Sequence, residues 1–134
     1  MSKNKKFSAA IIIIGNEILS GRTQDTNTAT IAQWLNSIGV KVNEVRVIPD
    51  IENTIIDTVN HLRKVNDYVF TTGGIGPTHD DITAQSISEA FNLEYEIHKE
   101  AFKILEAYYN VGEFNEGRQK MVWMPHNANL ILNP

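Results

Sequence analysis

The 134-residue sequence contains no cysteine. That excludes a disulfide framework, a thiolate metal site and a cysteine nucleophile. Positive charge is in the minority, with 12 Lys and Arg against 16 Asp and Glu and a formal net charge of -4. A dedicated nucleic-acid binder would present a basic face instead. No apolar run approaches the ~18 residues that a membrane-spanning helix needs. Internal repeats and low-complexity segments are also missing. What remains is 42% hydrophobic and 21% charged, the balance of an ordinary soluble globular protein. The length fits one domain. Such a chain buries roughly two-thirds of its unfolded surface and needs no staples. Its Ile and Val content argues against disorder.

Lys3, Lys5 and Lys6 precede the apolar stretch Phe7 to Ile14, a faint likeness to a secretory leader. The stretch ends at once in Gly15-Asn16-Glu17, and no small-residue cleavage site follows. It therefore reads as a flexible tail over 1–7 and then a buried strand. A cytoplasmic location is expected, with no membrane and no nucleic acid as partner.

The hydrophobic pattern alternates strand and helix. Ala9 to Ile14 is a continuous β-branched run closed by Gly15, the pattern of a strand covered on both faces. Residues 15–26 are expected to form a loop. Thr26 or Asn27 can cap a helix in which Ile31, Trp34, Leu35 and Ile38 share one face, so Trp34 is expected in the core. Gly39 stops this helix. Val40 to Ile48 reads as a second strand ended by Pro49-Asp50. A helix from Ile51 to Lys64 buries Ile51, Ile55, Val59 and Leu62. Asp67 to Thr72 is a third strand. Asp80-Asp81 open a helix with Ile87, Ala90 and Phe91 inward. An extended piece near Leu93 to Ile97 follows, then a helix marked by Ala101, Ile104, Leu105 and Tyr108. A short helix is expected around Asn115 to Met121, and Asn129 to Leu132 offers a last strand. This alternation predicts an α/β fold with a mostly parallel sheet and helices on both faces. Ligands on such sheets sit at the carboxyl ends of the strands. The unusual residues gather there.

The strongest signal is Thr72-Gly73-Gly74-Ile75-Gly76-Pro77-Thr78-His79-Asp80-Asp81-Ile82-Thr83. Glycines between a strand and a helix let backbone N–H groups approach an anion, and Thr72 and Thr78 add hydroxyls. The plain alternative is a tight turn that needs positive φ at glycine. The spacing is neither a Rossmann fingerprint nor a Walker loop. Two carboxylates, Asp80 and Asp81, would repel a phosphate here. A Mg²⁺ or another divalent cation would reconcile them, because hard cations bridge carboxylate and phosphate oxygens. Asp50, at the end of the neighbouring strand, is a third candidate ligand, or else a helix cap. The helix dipole by itself explains one of Asp80 and Asp81 as a first-turn residue.

The segment from Gly15 to Asn27 is long for a strand-to-helix connection, and long loops in compact domains are often functional. Ser20 and Arg22 are candidates for phosphate contact. Glu17, beside Ile18 and Leu19, is either a structural hydrogen-bonder or a perturbed acid. Of the histidines, only His79 lies in the glycine loop. His61 falls opposite the apolar stripe of its helix, and His98 and His126 have no ligand spacing. No Ser-His-Asp pattern appears.

Thr72-Gly73-Gly74-Ile75-Gly76-Pro77 with Asp81-Ile82-Thr83 resembles the signature of the molybdopterin-binding, MoaB/Mog-like domain. Gly15-Asn16-Glu17-Ile18-Leu19-Ser20-Gly21 and Asp25-Thr26-Asn27 resemble the amino-terminal domain of the CinA-like, competence/damage-inducible branch. Ile75 stands where Mog-type loops usually have Thr, which also favours that branch. The resemblance covers nearly all the chain after residue 7. It implies a three-layer α/β/α domain that self-associates. Mog-type relatives bind and adenylylate molybdopterin, and CinA-type relatives are linked to metal-dependent hydrolysis of ADP-ribose and related pyrophosphates. It further implies that Asp50 and Asp81 are catalytic or metal-associated. Family domains continue past the point matching Pro134, so a domain lacking its last elements is expected.

Together these give the expected function. The domain binds a phosphorylated pterin or nucleotide and hydrolyses a pyrophosphate linkage with a divalent cation. Asp50 and Asp81 act with Asp80, while Thr72, Gly73, Gly74, Ile75, Gly76 and Thr78 hold the ligand. Ser20, Arg22 and Glu17 close the site. Molybdopterin is a possible ligand. The alternatives are a binding module without turnover, molybdopterin adenylyl transfer, and a structural oligomerisation domain.

Overall fold

The computed structural model describes residues 6–133. Three parallel strands form the main sheet: β1 (Phe7–Ile14), β2 (Val40–Ile48) and β3 (Tyr68–Thr72), in the order β2-β1-β3. β1 is central, which is why Ala9 to Ile14 read as a continuous apolar run: all six are buried. Residues 1–5 of the expected flexible tail lie outside the described residues, while Phe7 already belongs to the strand.

The faces of β1 alternate, as the two-residue strand period requires. Ala10, Ile12 and Ile14 pack with Ile55, Val59 and Leu62 of α3 (Glu52–Val65) and with Ala90 of α4 (Thr83–Ala90). On the other face Ala9 packs with Leu35 of α2 (Asn27–Ser37) and Val40. The result is the three-layer α/β/α arrangement. A register shift between Ala9 and Ala10 skips Asn43 on β2. That bulge lets Val40 and Ile48 join opposite cores.

A second sheet pairs β4 (Tyr95–Ile97) with β5 (Trp123–Pro125) antiparallel. Between them run α5 (Lys99–Tyr108), α6 (Glu116–Gln119) and a 3-10 turn at Lys120–Val122. His98 caps α5 by accepting the Ala101 N–H at its Nδ1, while its Nε2 lies 3.0 Å from the Ala128 carbonyl. This geometry fixes the tautomer: Nδ1 is the acceptor and Nε2–H the donor.

Several expectations are corrected. Trp34 is 59% exposed and Ile38 56%, so α2 buries only Leu35 fully. The apolar stripe of α2 is wider than the strip of sheet it packs against. Ile51, Phe91, Ile104 and Tyr108 are likewise exposed at helix edges or ends. Residues 16–19 form a helical turn, α1 (Asn16–Leu19), inside the expected loop. Asp80 and Asp81 precede α4 and do not open its first turn. The last strand is Trp123–Pro125 and not 129–132. Its partner, β4, was the extended piece already expected near Ile97. His61 is exposed, as its position opposite the stripe indicated. Among the described residues, no helix is long and apolar enough to cross a membrane.

Candidate functional site

The glycine loop leaves β3 at the carboxyl edge of the main sheet. Gly73 and Gly74 have φ of 89° and 69°, a region open to glycine at no steric cost. Both also lack room for a side chain. A Cβ on Gly73 would lie 2.0 Å from the Ile14 carbonyl oxygen, and one on Gly74 would lie 2.0 Å from Thr83 Oγ1. These glycines are therefore required by the turn and by its packing against β1 and α4. Thr83 locks it from beneath. Its hydroxyl donates to the Gly73 carbonyl at 2.9 Å and its N–H donates to the Gly74 carbonyl at 3.1 Å. Thr83 closes the motif in the sequence, where nothing local marks it as an anchor. Its burial at 1% exposure is the sign that it is an anchor.

Asp81 folds back into the same loop. Its Oδ2 accepts the Thr78 N–H at 2.9 Å and the Thr78 hydroxyl at 2.8 Å. A Cβ on Gly76 would come within 2.8 Å of that oxygen. Partial burial acts to raise the Asp81 pKa. The Thr78 donors, the Gly76 N–H and the nearby Lys120 charge outweigh it, so the carboxyl sits below its ordinary value. The loop thus cradles an anion already, its own aspartate. Lys120 completes the arrangement by hydrogen-bonding the Thr78 carbonyl through its ammonium.

The three aspartates do not converge as expected. Asp50 braces the ends of β1 and β2: its Oδ2 accepts the Asn16 N–H at 3.2 Å, and its N–H donates to Asn16 Oδ1 at 3.4 Å. It does not cap α3, where Ile51 holds the N-cap position. Asp80 points outward beside His79, with Nε2 to Oδ1 at 3.4 Å and both side chains mostly exposed. Among the described residues no group of three or more His, Asp or Glu is arranged to hold a metal ion. Ser20 and Arg22 bond each other, with Arg22 Nε donating to Ser20 Oγ at 3.2 Å. Neither lines a cavity beside the glycine loop. Thr26 holds the N-cap position of α2 without a side-chain bond, and Asp25 before it accepts the Asn27 and Thr28 N–H groups at 3.1 and 3.4 Å.

Two cavities flank the loop. One, of about 210 Å³, is lined by Gly74, Ile75, Gly76 and Asp81 of the loop region and by Tyr95, Lys120, Met121, Trp123 and Met124, with the Lys120 ammonium near Asp81. The other, of about 250 Å³, lies at the carboxyl ends of β1 and β3, between Glu17, Gln24, Asp25, Asn27, Thr72 and Gly73. The second is the crevice where strand order reverses, the usual ligand position in open parallel sheets. Glu17 and Thr72 line this cavity, and Ile75, Gly74 and Gly76 line its neighbour. Tyr95, Lys120 and Trp123 were missed. Tyr95 and Trp123 lie on separate segments that the β4-β5 pairing brings together, and Lys120 lies on the 3-10 turn just before β5.

Residues 10–132 match the family described as "Probable molybdopterin binding domain". The chain belongs to that molybdopterin-binding domain family. Within it, the similarities lie with the CinA-like branch. The solved structure of CinA from Thermoplasma acidophilum is 32% identical with a TM-score of 0.89, covering 98% of this chain and 78% of that one. A CinA-like protein of Geotalea uraniireducens is 37% identical over 93% of this chain and 30% of its own length. The tungsten cofactor synthesizing protein MoaB of Pyrococcus furiosus is 26% identical with a TM-score of 0.60, over 81% of this chain and 66% of that one. The chain spans about half the length of a 40%-identical relative from Caldivirga maquilingensis.

Proposed function

We propose that this molybdopterin-binding-type domain binds a phosphorylated pterin or nucleotide and cleaves a pyrophosphate linkage within it. One observation carries the reading: a single cavity joins the glycine loop, Asp81 and Lys120 to a wall of aromatic and Met side chains. Phosphate belongs at the polar end. Lys120 supplies positive charge there without any added ion, and its ammonium is a point charge suited to phosphate. Asp81 is ionised at neutral pH, because its pKa lies below the ordinary value. It therefore works as an acceptor that orients a water or a cation, and not as a proton donor.

The described residues offer no all-protein metal cage. They do fit the mode in which a small hard cation takes one protein carboxylate and completes its shell with phosphate oxygens and water. Asp81 would be the carboxylate in that role. Bound there, a divalent cation would neutralise charge developing on phosphoryl oxygens. Asp50, engaged with Asn16, serves this reading as a positioning residue for the loop that carries Glu17.

The test is a chromatographic cleavage assay with ADP-ribose, FAD and NADH, in Mg²⁺, Co²⁺ or EDTA. Metal-dependent monophosphate products are expected from the wild type and a loss of about 10²-fold or more from Asp81→Asn. The satisfied state of Asp81 favours a second reading, a binding module without turnover. Retained nucleotide affinity with no product under any divalent ion would select it.

A further inference from the structure

The loop-side cavity is sharply divided in chemistry. At one end stand the Asp81 carboxylate and Lys120; at the other Tyr95, Trp123, Met121 and Met124. The Tyr95 and Trp123 rings pair across the β4-β5 ladder with centroids 5.3 Å apart and planes tilted by 42°. Such a tilt leaves each ring a face that its partner does not cover. Trp123 remains 37% exposed, and Ile75 on the opposite rim 69%. An indole and an isoleucine thus line this cavity while keeping exposed surface. A volume of about 210 Å³ falls below the roughly 300–1,000 Å³ of sites that engulf a drug-sized molecule. It suits one fused ring and the start of its phosphate chain.

We propose that Trp123 and Tyr95 form the subsite for the fused heterocyclic ring of the ligand, with Ile75 closing over its other face. Phosphate then lies toward Lys120. The inference rests on the phosphate site proposed above and adds which end of the ligand the protein recognises. Its chemistry is sequence-tolerant stacking, since any purine or pterin offers a π-face. Met121 and Met124 add polarizable contacts that adapt to ring shape. Ring-bearing phosphates should bind more tightly than phosphates without a ring, and the difference should reside in Trp123.

The experiment uses Trp34→Phe as background, so that Trp123 is the sole indole. AMP, ribose 5-phosphate and inorganic pyrophosphate are titrated by calorimetry and by indole fluorescence. AMP should quench Trp123 and bind about tenfold more tightly than ribose 5-phosphate. Trp123→Ala should remove that tenfold margin and leave pyrophosphate affinity within about twofold, while Trp123→Phe should keep most of the margin. Unchanged pyrophosphate binding also certifies that the variant is folded. Equal affinity for AMP and ribose 5-phosphate in the wild type, or an AMP margin that survives Trp123→Ala, overturns the ring subsite while leaving the phosphate site standing. Absence of binding by all three compounds to the wild type overturns the phosphate site itself.

Discussion

At the scale of single residues, the glycine loop is held by steric exclusion and by one carboxylate. Gly73→Ala would force a Cβ against the Ile14 carbonyl in a left-handed conformation. We expect a loss of about 3 kcal/mol or more in urea unfolding. Thr83→Val keeps the shape of the side chain but strips the hydroxyl that donates to Gly73. That change should cost about 1–2 kcal/mol and reduce ligand affinity through loop loosening. Asp81 makes a prediction about acid. Its folded pKa is depressed, so its stabilisation is complete above the ordinary carboxylate value of about 3.9. It is lost as pH falls through the lower folded value. Wild-type stability should therefore drop below about pH 4, and Asp81→Asn should flatten that part of the profile measured by denaturant midpoints.

At the scale of elements, most of the architecture was written in periodicity. Ile11 to Ile14 announced a central strand because burial on both faces removes the polar alternation of an edge strand. The α3 stripe of Ile55, Val59 and Leu62 pointed to the sheet, and Leu62→Ala should cost about 2–5 kcal/mol. What periodicity cannot read is how far a neighbour extends. Trp34 lies on the correct stripe of α2 and is still exposed, because three strands do not reach it. The site was half legible for a related reason. Gly73, Gly74 and Asp81 sit in one continuous motif, so their proximity follows from chain connectivity. Asp50 shares the same sheet edge, but a polar side chain there can turn to any of several donors, and it turns to Asn16. Lys120, Tyr95 and Trp123 arrive through a pairing between segments some thirty residues apart, which no local pattern encodes.

For the whole molecule, the exposed apolar side chains make a testable statement. Trp34 and Ile38 on α2, with Val45 and Val47 on the edge strand β2, all stand outside the core. Exposed apolar side chains that form a contiguous patch mark association sites. We expect concentration-dependent self-association in light scattering, shifted toward the monomer by Trp34→Glu. A scattering mass that stays monomeric at high micromolar concentration would refute it.

The β4-β5 ladder has a consequence for time as well as for shape. One wall of the loop-side cavity is the glycine loop and the start of α4, a helix that packs into the principal core. The opposite wall is a two-stranded ribbon of three residues per strand, and isolated ribbons of that size are marginal. The two walls should therefore differ in amide exchange lifetimes, with β4 and β5 exchanging through local openings well before β1. A bound ring bridging them would slow exchange in the ribbon while leaving β1 unchanged. In that case the ligand would be what makes the two halves of the cavity a single cooperative body.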